Sequence, residues 1–185
     1  IDISNEKAIN FTKSLLSEYA SFFRELGCTK FDIGGDELLG WGKVTINGTS
    51  LTRWKAMDHW KAYAIKKTGN NKATAYDAFL LYMNDLTKTL KDLGYESVRM
   101  WNDDAYRTYD TGYSMTDGVV KLDPSIEISY WTNNANNSQN TVSTYLDKGH
   151  NVYNYLNTYN YYVLKDGTVY EGANSESIYN EWNPF

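Results

Sequence analysis

Cysteine is nearly absent: Cys28 is the single one among 185 residues. An internal disulfide is therefore excluded, and so is a zinc site built on paired thiolates. One thiol at a helix end reads as a small buried hydrophobe. Histidine is almost as scarce. His59, beside Asp58, and His150 stand far apart and lack the spacing of metal ligands. No metal and no cofactor are expected. No apolar run approaches the length that spans a bilayer, so no membrane partner is expected. Basic charge is also short. The net charge of −5 argues against a nucleic-acid backbone as partner. Internal repeats and low-complexity linkers are missing too, and the length suits one sizeable core, so residues 1–185 read as a single domain.

Aromatics are abundant, with 17 Tyr and 6 Trp, and asparagine is frequent. Ring faces stack on the apolar faces of sugars, and amides meet their hydroxyls. The same aromatics also fill ordinary cores, and composition alone favours that reading.

Along the chain, Ser4 or Asn5 is placed to cap a helix over about Glu6–Leu26. Its Ile9, Phe11, Leu15, Leu16, Tyr19, Phe22 and Phe23 recur at helical spacing, and Gly27 ends it. A short apolar strand follows from Lys30. It breaks at Gly34-Gly35 and finishes in two adjacent carboxylates, Asp36 and Glu37. Neighbours on a regular strand point to opposite faces, so these two share a pocket only where the strand has ended. The glycines allow that turn. Leu38–Ser50 reads as a long loop, Leu51–Lys67 as a helix, and about Thr74–Leu93 as another. Three further strands are expected at Ser97–Trp101, Ile126–Trp131 and Asn151–Tyr155, with a hairpin arm at Gly118–Leu122 and a short helix ending at Asp147. Strands alternating with helices predict parallel βαβ units, whose chemistry sits at the carboxyl ends of the strands.

The stretch Asp32-Ile33-Gly34-Gly35-Asp36-Glu37 resembles the signature of family 20 glycoside hydrolases, the β-N-acetylhexosaminidases, and the resemblance follows the element order from Ile1 to Phe185. It implies an α/β fold, a partial (β/α)8 TIM barrel comprising roughly strands four to seven with their helices, and hence an incomplete catalytic domain. Uncovered strand edges would then invite self-association.

The resemblance also implies removal of terminal β-linked N-acetylhexosamine from glycans by a retaining, substrate-assisted route. In that route the sugar's acetamido oxygen is the nucleophile and forms an oxazolinium intermediate. Glu37 is then the acid/base and Asp36 the group that orients the acetamido nitrogen. Such chemistry needs the two carboxyls to ionise unequally, with Glu37 keeping its proton. Trp101 and Trp131 resemble the tryptophans that wall the pocket, Asp103 a partner of a sugar hydroxyl, and Tyr159 the tyrosine that holds the acetamido carbonyl. Tyr155 is the next choice for that role, and Asn157 sits where some members carry an acid. Asp32 departs from the His of many members. An extracellular or wall-attached bacterial location is the corresponding expectation.

Two other readings remain. A non-catalytic carbohydrate-binding fragment would keep the aromatics without needing Glu37. Gly34-Gly35-Asp36-Glu37-Leu38 also resembles the signature of diguanylate cyclases, but the arginine and aromatic that precede the glycines there are replaced by Asp32-Ile33.

Overall fold

The computed structural model describes residues 1–37, 43–46, 48–52, 57–102, 104–106, 118–132, 141–161 and 175–182. Helix α1 (Glu6–Glu25) is capped by Asn5, whose side chain accepts from the amides of Lys7 and Ala8. Cys28, which the sequence reads as buried, is exposed, and strand β1 (Lys30–Asp32) follows it. A hairpin of β2 (Lys43–Ile46) and β3 (Thr49–Thr52) comes next, then α2 (Asp58–Thr68), α3 (Ala75–Asp92) and β4 (Ser97–Trp101). The chain continues through β5 (Ile126–Tyr130), α4 (Val142–Asp147), β6 (Val152–Asn154), α5 (Asn157–Asn160) and α6 (Ser175–Glu181).

The main sheet has the order β1-β4-β5-β6, and each of its pairings is parallel. This is the βαβ arrangement that alternation predicts. Phe31, Val98, Ile126 and Ile128 point toward the helices and join two apolar clusters. The first is built around Tyr76, Phe79, Leu80 and Met83 of α3, the second around Ala20 of α1, Leu90 and Tyr95. Alternation sends Asp32, Ser97, Arg99, Trp101, Glu127 and Tyr153 to the opposite face.

Three further expectations are corrected. The segment Leu38–Ser50 is not all loop, because β2 and β3 pair antiparallel within it, with Val44 opposite Leu51. Threonines and branched aliphatics there favour strand, and Gly48 takes the left-handed conformation (φ 78°) that the tight turn needs. For the same reason the next helix begins at Asp58 rather than Leu51. The third correction concerns Gly118–Leu122, where the described residues form no strand. They lie as a strap against α3. The Val120 amide donates to Asp77 Oδ1 (2.8 Å), and Asn84 Nδ2 donates to the Lys121 carbonyl (2.8 Å). Asp77 also closes the capping box at the start of α3, accepting from the Thr74 amide at 2.7 Å. One buried carboxylate thus caps the helix and anchors the strap.

A cavity of about 310 Å³ opens beside that strap, lined by Leu80, Tyr106, Val120 and Lys148 among others. None of the described residues that the sequence singles out for sugar chemistry lines it. Among the described residues no helix is long and apolar enough to cross a membrane.

Candidate active site

The site is built by the way β1 ends. Pairing with β4 runs past Asp32, since the Ile33 amide donates to the Arg99 carbonyl and the Trp101 amide to the Gly34 carbonyl (both 2.9 Å). Gly34 (φ 69°) and Gly35 (φ 88°) then turn the chain through conformations that disfavour side chains. Gly35 is needed for space as well. A Cβ there would lie 2.8 Å from the Met83 Cε and 3.2 Å from the Met100 Cε. Asp36 and Glu37 follow at once in a bend and are both exposed, Glu37 with a positive φ of 45°. Asp32 braces the turn from below, its Oδ1 accepting from the Gly34 amide at 2.7 Å. Although Asp32 is exposed at its edge, desolvation of its carboxyl within the turn raises it above its ordinary value. The Gly34 amide and the Arg99 charge oppose that rise, and the nearby Asp36 adds to it.

The neighbouring strand ends deliver aromatics. Trp101, at the end of β4, is half-buried and meets the Tyr155 ring edge-on, with centroids 5.8 Å apart. Trp131, just past β5, is buried and stacks on Tyr161 at 5.8 Å with the planes 8° apart. Asn102 ties these two ends together. Its Nδ2 donates to the Thr132 carbonyl and its Oδ1 accepts from the Trp131 amide, both at 2.9 Å. It is fully buried and satisfied, so it sets one strand end against the other.

The sequence-predicted residues divide accordingly. Asp36, Glu37, Trp101 and Trp131 all stand at or just beyond the carboxyl ends of adjoining parallel strands. Tyr159 goes elsewhere. It sits on α5 and its hydroxyl donates to Glu181 of α6 at 3.3 Å. Tyr155, the second choice, is the tyrosine brought against Trp101. Asp103 lies outside the described residues.

Below the aromatics is a network that the sequence reading missed. Arg99 Nε donates to Glu127 Oε2 at 3.1 Å, and its guanidinium lies 3.8 Å from the Tyr153 ring centroid. Its Nη1 donates to the Tyr155 hydroxyl at 3.0 Å. Burial alone would raise the Glu127 carboxyl, but hydrogen bonds from Ser97 and Arg99 outweigh it and hold Glu127 below its ordinary value. Burial likewise works against the Arg99 charge, and the bond to Glu127 overcomes it. The available signal was parity: Ser97, Arg99 and Trp101 alternate on one strand, so the residue two before a site tryptophan shares its face. Among the described residues no group of three or more metal-ligating side chains is assembled.

The catalytic-domain model of glycosyl hydrolase family 20 matches residues 1–185. The chain belongs to glycosyl hydrolase family 20. Within that family it is similar to a lacto-N-biosidase of Bifidobacterium bifidum, at 31% identity over 99% of this chain and 14% of that protein. The chain therefore spans about a seventh of that curated relative. Among solved structures it resembles the GH20 catalytic modules of the pneumococcal exo-β-D-N-acetylglucosaminidase StrH, with a TM-score of 0.55 and 23% identity over 85% of this chain and 31% of that one. A GH20 exo-β-N-acetylglucosaminidase of Vibrio harveyi aligns with a TM-score of 0.50 and 14% identity, over 82% of this chain and 18% of that one. At those identities the structural likeness speaks for the fold, while family membership rests on the domain match and the bifidobacterial relative. Members of that family generally act on terminal β-linked hexosamines.

Proposed function

We propose that the chain forms strands four to seven of a (β/α)8 barrel, a single incomplete catalytic domain, and that the completed barrel releases terminal β-linked N-acetylhexosamine with retention. In the first step the substrate's acetamido oxygen attacks the anomeric carbon while the Glu37 carboxyl gives its proton to the departing glycosidic oxygen. Asp36 accepts the acetamido N–H and balances the charge of the oxazolinium. In the second step water attacks the anomeric carbon, Glu37 takes its proton, and the ring opens back to the acetamide. Trp101 and Trp131 wall the pocket, and Tyr155, in preference to Tyr159, holds the acetamido carbonyl, because Tyr155 lies against Trp101 whereas Tyr159 is bonded to α6. Asp103 takes a sugar hydroxyl. The reading extends to an extracellular or wall-attached bacterial enzyme acting on glycans, with no nucleic-acid or membrane partner.

The observation that carries the proposal is the ending of β1. Two adjacent carboxylates emerge after paired glycines at the carboxyl end of a parallel strand, beside strands that end in Trp101, Trp131 and Tyr155. A nucleophile supplied by the substrate explains why neighbouring residues suffice, since both need reach only one end of one sugar. In a polypeptide that completes the barrel, Glu37→Gln is expected to slow hydrolysis of an N-acetyl-β-glucosaminide by roughly 10²–10⁴-fold. The loss should be smaller for a nitrophenyl leaving group, which needs little protonation. Hydrolysis near the parent rate would eliminate the enzyme reading. Sugar binding unchanged by Glu37→Gln, with no turnover in the parent, would establish the non-catalytic carbohydrate-binding alternative.

A further inference from the structure

The network beneath the aromatics has a polarity that bears on the site. Arginine carries only donors, so where Arg99 Nη1 meets the Tyr155 hydroxyl at 3.0 Å the tyrosine oxygen must accept. The single phenolic proton is then left to point away from Arg99. Arg99 cannot swing to release it. Glu127 holds Nε at 3.1 Å, the Tyr153 ring lies against the guanidinium plane at 3.8 Å, and the Arg99 side chain is only 17% exposed. Glu127 is in turn fixed by the Ser97 hydroxyl. Tyr155 itself keeps 37% of its surface exposed, so part of it remains open to a ligand on the side not taken by Arg99 and Trp101.

We infer that Arg99 is a positioning residue: by donating to the Tyr155 hydroxyl oxygen, it turns the phenolic proton away from itself, toward a carbonyl oxygen of the bound sugar's amide, and holds the ring against Trp101. This rests on the reading that Tyr155 meets the acetamido group. Arg99 touches no reacting atom. It selects which hydrogen-bonding face the tyrosine presents, and therefore favours an amide-bearing sugar over one with a hydroxyl at the same carbon. A 2-hydroxyl is able to donate as well as accept, and it sits closer to the ring than the amide carbonyl does.

The test is binding rather than turnover. Methyl N-acetyl-β-glucosaminide and methyl β-glucoside are titrated into the protein and followed by tryptophan fluorescence. The parent is expected to prefer the amide sugar. Tyr155→Phe and Arg99→Met should each reduce that preference about tenfold, the size of one directed hydrogen bond. The two together should reduce it no further, because Arg99 acts only through the bond that Tyr155 makes to the sugar. A residue that merely supports the fold would weaken both sugars alike and multiply with Tyr155→Phe. Arg99→Met leaves Glu127 unpaired, so Arg99→Met with Glu127→Gln repeats the measurement without the stranded charge. Tyr155→Phe leaves the Arg99–Glu127 pair intact. An unchanged amide preference in the Arg99 variants, or losses that multiply, would overturn the inference while leaving the site assignment standing. A parent with no preference for the amide sugar would overturn both.

Discussion

Helices α1 and α3 are of similar length and both are amphipathic, yet they are buried very differently. Along α3, Ala75 to Leu80 are all buried, followed by Met83, Leu86, Thr87 and Leu90. Along α1, only Ile9 and Ala20 are. The reason lies in position. The sheet, α2 and the strap at 118–122 all pack on α3. Helix α1 meets α3 and, through Ala20, the cluster that Phe31 of β1 joins; β1 is the outer strand of the sheet, and beyond it no further strand pairs among the described residues. The apolar face that the sequence predicts on α1 is real, but Phe11 (67% exposed), Phe22 (57%) and Leu26 (65%) look outward. Apolar patterning thus records what a helix is built to meet, and burial records what it meets within these residues.

The largest expected effect breaks the comparison directly. Phe79→Ala should cost about 3–5 kcal/mol in urea unfolding, through lost burial and the cavity left behind. Phe22→Ala, an aromatic of the same kind on α1, should stay within about 0.5 kcal/mol. Equal losses would mean that α1 is covered after all. The glycines sharpen the same contrast. Gly27, just past α1, and Gly35 have nearly the same φ, 87° and 88°. Around Gly27 there is open space, whereas a Cβ at Gly35 meets Met83 at 2.8 Å. Gly27→Ala should therefore cost only the backbone strain, about 1 kcal/mol. Gly35→Ala adds overpacking, for about 2–4 kcal/mol in total, and should displace Asp36 and Glu37.

The legible parts of this molecule were those governed by local rules. Asn5 as a cap, Gly27 as a stop, and the strand that ends in Asp36-Glu37 follow from chemistry within a few residues, and the alternation of strand and helix carried the parallel sheet with it. The β2–β3 hairpin was missed because the glycines around it looked like loop, although Thr45, Ile46, Thr49 and Thr52 favour strand. The strap at 118–122 was read as a hairpin because its partner, Asp77, lies 43 residues away. The choice between Tyr155 and Tyr159 depended on where a short strand stops. With β6 ending at Asn154, Tyr155 stays at the sheet and Tyr159 rides on α5. For Arg99, parity gives only the face it shares with Trp101, and its partners Glu127 and Tyr155 come from two other segments.

Between pH 8 and pH 5, acid should act on the buried side of the molecule and spare α1. His150 is buried, with Nδ1 2.7 Å from the Ile126 carbonyl and Nε2 2.6 Å from the Tyr106 hydroxyl. Nδ1 must carry the proton to serve the carbonyl, leaving Nε2 to accept from Tyr106. Burial depresses the imidazole below its ordinary value of 6.5. The folded state then refuses a proton that the unfolded chain accepts, so stability is full above about pH 6.5 and falls as pH drops toward the lower folded value. Glu127, also depressed, gives a second loss in a separate window, below the ordinary glutamate value of 4.5. Urea midpoints measured from pH 8 to pH 5 should fall in the parent and stay flat in His150→Gln. An equally steep fall in that variant would place the titrating group elsewhere. α1 contains no histidine and has nothing to contribute in the upper window.

The smallest effect on stability is expected where the surface is oddest. Phe22→Glu together with Leu15→Glu places charge on the uncovered face of α1 and should shift unfolding by no more than about 0.5 kcal/mol per site, since neither side chain is buried. Its effect on association should be large. An apolar face of Phe11, Leu15, Tyr19, Phe22 and Leu26 near β1, whose outer edge no described strand pairs, is a surface that water disfavours, and two copies would relieve it by meeting there. Sedimentation velocity on the 185-residue chain should show concentration-dependent association in the parent and a monomer in the double variant. A monomeric parent would show that exposure on α1 is tolerated, and would leave the contrast with α3 as one of packing alone.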